Sequence, residues 1–289
     1  IRYAAEVIAQ TLFTNRYVWH ADPDILSVRS PLSVEEARAW ATIFGITGVF
    51  LASSDKLAKL PAERLAILRK VLPPADILPM DLSPWRVPGG DLHKRFPPAD
   101  ILTMDAEGLG PPSIWNLAVR RPFDRWNVAA VFNWNPDAPK KETVSFAELG
   151  LKRNATYLIF DFWNEKFLGE HRGSIALDLP ARACRVLALH EKRDEPQLLS
   201  TSRHITQGAV SIRSLRWNAP ERVLSGVSDL IKGKPYDLFI HVPKGLRVSG
   251  VCSDADRATP RRLANGIVRL RLAHNATTPR RWALRFAAH

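Results

Sequence analysis

The sequence predicts an α/β segment followed by antiparallel β-sandwich modules, and three observations carry that class. Residues 1–72 alternate helical and strand patterns, residues from Ile114 onward break into short β-prone runs between turn residues, and Pro and Gly concentrate in 73–112. The expected divisions are therefore 1–72, 73–112, 113–196 and a basic module at 197–289.

The chain opens at Ile1 without an initiator Met, in a helical pattern through Ala5, Ile8, Ala9 and Leu12. Tyr17-Val18-Trp19 is apolar and β-prone, and Asp22-Pro23-Asp24 cannot extend it because Pro23 lacks a donor and restricts the residue before it. This places two carboxylates and an aromatic ring at a strand's C-terminal end, which is the catalytic face of a (β/α) barrel. An apolar ring beside acceptor oxygens suits the CH face and hydroxyls of a sugar. The alternative is that either Asp fixes its own turn by accepting nearby backbone N–H groups. His20 with these two acids lacks further visible ligands, so neither a metal nor a cofactor is expected.

Ser33-Val34-Glu35-Glu36 has the spacing of a capping box, so a helix should start there. Val34, Ala37, Trp40, Ala41 and Phe44 continue at helical spacing, with Gly45 as the expected stop. Ile46–Ala52 is apolar on both faces, as a covered parallel strand would be, and leads into Ser53-Ser54-Asp55. A second helix should begin near Pro61, carry Leu65, Leu68 and Leu72 on one side, and stop before Pro73-Pro74. Within 73–112 the phrase Pro-Ala-Asp-Ile-Leu-x-Met-Asp occurs twice, at 74–81 and 98–105, and the segment is expected to cross over against the first part.

Trp19 with Asp22-Pro23-Asp24, Leu32-Ser33-Val34-Glu35-Glu36, Ser53-Ser54-Asp55 and Leu60-Pro61-Ala62-Glu63-Arg64 together resemble the last two strands and closing helix of melibiase-type α-galactosidases. These are glycoside hydrolases with a (β/α)8 barrel followed by β-domains. Phe132-Asn133-Trp134, Glu148-Leu149-Gly150-Leu151, Asp161-Phe162-Trp163 and Phe167-Leu168-Gly169 extend the resemblance into the β-domain. It implies that the first part is the C-terminal remnant of a (β/α)8 barrel. It also implies that Trp19, Asp22, Asp24, Ser53 and Asp55 bind substrate, and that the parent reaction is a retaining double displacement by two carboxylates. Ala21 stands where the family usually has Asn, which puts substrate preference in doubt. The Tyr-Leu-Lys-x-Asp segment that carries the family's nucleophile does not occur, so the resemblance implies that the catalytic pair is not in this chain and that the chain alone is inactive. The competing class is a non-catalytic carbohydrate- or polyanion-binding accessory protein.

Strands are expected at Val128–Trp134, Tyr157–Trp163, Ser174–Leu179 and Cys184–Leu189, then at Asp237–Val242, Ile267–Ala273 and around Trp282 to Phe286. His204, beside Ser and Thr, reads as a structural group rather than a catalytic base. Cys184 and Cys252 fall in separate modules, which excludes a disulfide within either, and both are expected to be buried.

The net charge of +12 is unevenly spread. Residues 197–289 hold 16 Lys and Arg against 5 Asp and Glu, whereas 1–196 hold 25 against 24. Arg269 and Arg271 alternate along one strand, and Arg280, Arg281 and Arg285 follow, so this module is a candidate surface for acidic polysaccharide. Nucleic acid is disfavoured because no recognition motif accompanies the charge. No apolar run reaches the roughly 18 residues that a membrane span needs.

Overall fold

A computed structural model of the chain describes residues 1, 4–5, 8–9, 12–74, 76, 79–81 and 113–288. Two compact units result, Ile1–Leu117 with Ala129–Gly150 and Ile175–Val186, and Ala118–Val128 with Leu151–Ser174 and Leu187–His289. Most of the expected crossover, including the second copy of its repeated phrase, lies outside the described residues.

In the first unit, strand β1 (Ile25–Leu26) runs parallel to β2 (Ala52–Ser53), with helix α1 (Val34–Thr47) between them in sequence. Ser33 Oγ accepts the Glu36 N–H at 3.1 Å and Glu36 Oε2 accepts the Ser33 N–H at 2.8 Å, so the capping box forms as the spacing predicts. The helix passes through Gly45 and ends at Gly48, whose φ of 62° is the left-handed geometry a helix C-terminus favours in glycine. Ile46 and Thr47 are thereby helical, and the expected strand shrinks to Ala52–Ser53. Trp40 packs edge-on against Phe44 at 4.8 Å and donates its indole N–H to Ile25 O at 3.3 Å, which locks α1 onto β1.

Helix α2 (Ala62–Val71) follows and buries Ile67, Leu68 and Val71. Leu72 lies past its end and is 44% exposed, so the apolar stripe is rotated from the one expected. Tyr17-Val18-Trp19 is not a strand. It is a tight turn, with Arg16 N–H donating to Trp19 O at 2.6 Å, and all three side chains are exposed. Among the described residues, the expected barrel is represented by one β-α-β unit and α2; no closed barrel is present.

The remainder is antiparallel β-structure, as expected. Strands β3 (Met80–Asp81), β4 (Ile114–Arg121), β5 (Asp124–Phe132), β6 (Lys140–Ser145), β7 (Thr156–Asp161), β8 (Lys166–Arg172), β9 (Ser174–Leu179) and β10 (Cys184–Glu191) come first. Six of them hydrogen-bond in the order β3-β4-β5-β10-β7-β8, while β6 pairs with β9. Two of the phrases that carry the sequence resemblance contain structural ties. Buried Asn133 donates its amide to Ala138 O, Leu179 O and Pro180 O at 2.9–3.2 Å, and Asp161 accepts from the Asn164 amide at 2.7 Å to close the β7–β8 turn. A buried polar group so fully satisfied fixes register as well as stability.

Strands β11 (Gln197–Thr201), β12 (Ile212–Asn218), β13 (Val223–Leu230), β14 (Tyr236–His241), β15 (Leu246–Ser253), β16 (Arg257–Arg262), β17 (Ile267–Ala273) and β18 (Thr278–Ala288) belong to the second unit. They form two four-stranded antiparallel sheets, β11-β14-β17-β16 and β12-β13-β18-β15. Alternate side chains from both sheets, among them Leu224, Tyr236, Leu238, Leu270, Leu272, Trp282 and Leu284, meet in one core. Trp282 spends its indole N–H on Ser228 Oγ at 2.9 Å.

Candidate functional site

Pro23 sets the local geometry of the first candidate cluster. The Asp24 N–H donates to Asp22 Oδ1 at 2.9 Å, an Asx turn, and Asp24 takes φ 74°, a conformation that Asp tolerates better than most residues. The pair lies immediately before β1, so the expected position at a strand's C-terminal end is overturned. The cause is the turn at 16–19, which delays strand pairing until Ile25. Both carboxylates are exposed, and that of Asp24 makes no hydrogen bond among the described residues. Trp19 is 53% exposed.

Asp55, by contrast, stands after β2 and points inward, its side chain sealed from solvent. Its Oδ2 accepts the Val28 N–H at 2.8 Å, and its Oδ1 accepts the Ser27 hydroxyl at 3.0 Å and the Arg29 guanidinium at 3.1 Å. Burial pushes this carboxyl up, but the Val28 N–H, Ser27 and Arg29 together outweigh it and hold Asp55 below the ordinary carboxylate range. Ser53 Oγ accepts the Asp55 N–H at 3.3 Å. From α2, Arg64 donates to Val28 O at 2.7 Å, which fastens the same loop. Asp55 is thus an ionised anchor that ties the segment after β1 to the segment after β2, and its oxygens are occupied by donors.

The structure joins Ser53 with Asp55, and Asp22 with Asp24, without a hydrogen bond between the two pairs among the described residues. Sequence reasoning passed over a cavity of ≈ 320 Å³ beside α1, lined in part by Leu32, Trp134 and the Glu36–Arg182 ion pair at 2.9 Å. Glu36 was legible as a capping residue, but nothing in its spacing points to Arg182. Its carboxyl is pushed up by burial and pulled below its usual range by the combined hydrogen bonds of Ser33 and Arg182.

The basic module does not present one arginine face. Arg269 and Arg271 share the side of β17 turned away from the core between the two four-stranded sheets, a side on which Ile267 is buried against Leu158 and Phe160, and there Arg271 makes a two-pronged ion pair with Asp237 at 2.7 and 2.6 Å. Arg281 and Arg285 project from β18, in the other sheet. His204 is fully buried and bonded to Thr206 at 2.8 Å. Cys184 is buried and free; Cys252, also free, is exposed, contrary to expectation, because it lies outward on the edge strand β15. Among the described residues no helix is long and apolar enough to cross a membrane.

An antiparallel β-domain preceded by a β-α-β unit is the class these elements define. Residues 124–189, which span β5 to most of β10, match the family described as the alpha galactosidase C-terminal beta sandwich domain, and this segment is of that melibiase type, as the sequence resemblance implies. None of the curated proteins matches the chain. Solved structures similar to it include alpha-galactosidase I from Mortierella vinacea, at 16% identity and a TM-score of 0.43 over 65% of this chain and 43% of that one. A β-L-arabinopyranosidase from Geobacillus stearothermophilus is 14% identical, with a TM-score of 0.47 over 65% of this chain and 42% of its own. The alpha-galactosidase from Saccharomyces cerevisiae, solved with raffinose, is 14% identical, with a TM-score of 0.45 over 65% of this chain and 51% of its own. The chain thus spans about half or less of the length of each of these structures.

Proposed function

We propose that this chain is the C-terminal part of a retaining glycoside hydrolase of α-galactosidase type, acting on terminal α-linked sugars of oligo- or polysaccharides. The match of residues 124–189 to the β-sandwich family is the observation that carries this reading. In it, residues 1–72 are the end of the catalytic barrel, 73–112 a crossover, 113–196 the β-sandwich and 197–289 the basic module. Fold by itself does not fix the sugar.

The chemistry assigned to this chain is positioning. Double displacement needs one carboxylate to attack the anomeric carbon while another protonates the leaving oxygen, at a separation of about 5 to 5.5 Å. Asp55 has its oxygens committed to four neighbours, and Asp22 is committed to its own turn. Trp19 and the unbonded carboxylate of Asp24 are the groups left to meet a sugar, one by its ring face and the other by accepting hydroxyl hydrogens. Asp22, Ser53 and Asp55 hold the loops that line the pocket. The catalytic pair comes from outside residues 1–289.

A second reading, a carbohydrate- or polyanion-binding accessory module, draws on one observation: residues 197–289 carry nearly all the excess positive charge and bury a core of their own. The experiment that separates the two follows an aryl α-galactoside by proton NMR with the translation product of the complete reading frame. Hydrolysis releasing the α-anomer first supports the retaining glycosidase. The β-anomer first excludes retention, and no hydrolysis leaves the accessory reading in its place.

A further inference from the structure

The sheet β12-β13-β18-β15 turns one face to the core and the other outward. Leu224, Trp282, Leu284 and Phe286 point into the core, so the residues alternating with them share the outer face. Register arranges that face in rows. Arg216, Ser225, Ala283 and Cys252 stand opposite one another across the four strands, and Asn218, Val223, Arg285 and Gly250 form the adjacent row. Arg281 opposes Val227 and Arg247 opposes Ala287 on the same side. Arg216 and Arg281 flank a trough of ≈ 780 Å³ whose lining includes Ser214, Ser225, Ala283 and Cys252. The result is a shallow floor of small side chains with four guanidinium groups rising from it and one carboxylate, Asp254, at its side next to Arg281.

Among the arginines of the opposite sheet, Arg271 differs from these in being paired. The side chains of Arg216, Arg247 and Arg285 make no hydrogen bond or ion pair among the described residues, and the Arg281 side chain is 86% exposed with its nearest carboxylate, Asp254, at 3.9 Å. Arg271 is neutralised by Asp237. Two strand spacings put Arg216 roughly 10 Å across the sheet from β18, and Arg281 and Arg285 lie about 13 Å apart along it. That spacing fits anionic groups repeated along an extended chain, each taken by the fork of one guanidinium.

We infer that this outer face docks an anionic polysaccharide, with its sulfate or carboxylate groups on Arg216, Arg281 and Arg285 and its hydroxyls on Ser214 and Ser225. The inference deepens the polyanion reading of the basic module and stands independently of the galactosidase chemistry. A single-stranded nucleic acid is the poorer occupant, because among the described residues no aromatic side chain stands on this face of the sheet for bases to stack on; Trp282 points into the core.

The test titrates heparin into the intact chain. Replacing Arg216, Arg281 and Arg285 together by Ala weakens binding about tenfold or more, whereas replacing the exposed Lys234, Arg257 and Arg261 together by Ala, an equal loss of charge elsewhere in the module, changes it less than about twofold. Heparin also slows maleimide labelling of Cys252, while buried Cys184 does not react. Absence of heparin binding by the unaltered chain refutes the polyanion reading itself. Equal losses in the two triple variants, or labelling of Cys252 unaffected by heparin, refute this face alone. Single-stranded DNA binding as tightly, with the same loss on Arg216, Arg281 and Arg285, overturns the choice of polysaccharide.

Discussion

His190 makes folding sensitive to mild acid. It lies on β10, 3% exposed, stacked on Trp126 at 5.5 Å, and its Nε2–H donates to Leu199 O at 3.0 Å. Its Nδ1 is 4.0 Å from Asp124, but that carboxylate is already held by both Nη atoms of Arg193 at 2.9 and 3.2 Å. Burial lowers the imidazole pKa from 6.5 to about 4, aided by Arg193 and opposed by Asp124 and the Leu199 carbonyl. The folded state therefore binds the proton less tightly than the unfolded one. The stabilising contribution is complete above pH 6.5 and is lost as pH falls through about 4. That difference is worth about 3 kcal/mol, of which about 2–3 kcal/mol is gone by pH 4.5, a large part of the 5–15 kcal/mol typical of a domain. Urea unfolding near pH 7.5 and near pH 4.5, followed by tryptophan fluorescence, measures it. His190→Gln keeps a donor for Leu199 O but does not titrate, so its loss between the two pH values should be smaller by about 2–3 kcal/mol. Parallel pH profiles for the two proteins would refute the assignment of His190 as a buried neutral group.

Asp55→Ala should destabilise by about 2–4 kcal/mol in urea unfolding, because it strands the Val28 N–H and the Ser27 hydroxyl; since the carboxyl is held below its ordinary range, its contribution should persist down to about pH 4 and disappear only in stronger acid. Gly226→Ala places a Cβ 2.6 Å from the buried Trp282 ring and 2.9 Å from Ser214 O, so a loss of about 1–3 kcal/mol is expected in the same assay. Gly150→Ala, at φ 69° with nothing within 4 Å, should cost only about 1–2 kcal/mol from the backbone conformation. Trp19→Ala or Asp24→Asn in the complete reading-frame product should lower kcat/KM on an aryl α-galactoside and leave the melting temperature nearly unchanged, because both side chains are exposed.

Much of the fold follows from local signals strong enough to act alone. The Ser33–Glu36 capping box fixes the start of α1, and strict alternation marks Ser174–Leu179 and Ile267–Ala273 at the bounds observed for β9 and β17. Local signals failed where a longer-range choice decides. Tyr17-Val18-Trp19 has strand composition, yet Arg16 reaches Gly48 O at 2.9 Å and the segment closes as a turn. Gly45 and Gly48 are equally plausible helix stops by residue type, and burial of Ile46 against the core selects the later one. The candidate site was legible as a set of residues but not as roles. Sequence shows Asp22, Asp24 and Asp55 as three similar carboxylates; only the tertiary partners Ser27, Val28 and Arg29 distinguish the sealed anchor from the exposed pair. In the basic module, alternation predicts that Arg269 and Arg271 share a face, but which sheet each strand joins is set by pairing order and not by periodicity.

The central proposal is that this chain shapes a glycosidase without supplying its catalytic pair, and aryl α-galactoside turnover by the purified 289-residue chain tests it most directly. The account predicts a rate indistinguishable from buffer. Turnover clearly above buffer that is abolished by Asp55→Asn, while the variant still unfolds cooperatively, would contradict it and make Asp55 a reacting group rather than an anchor.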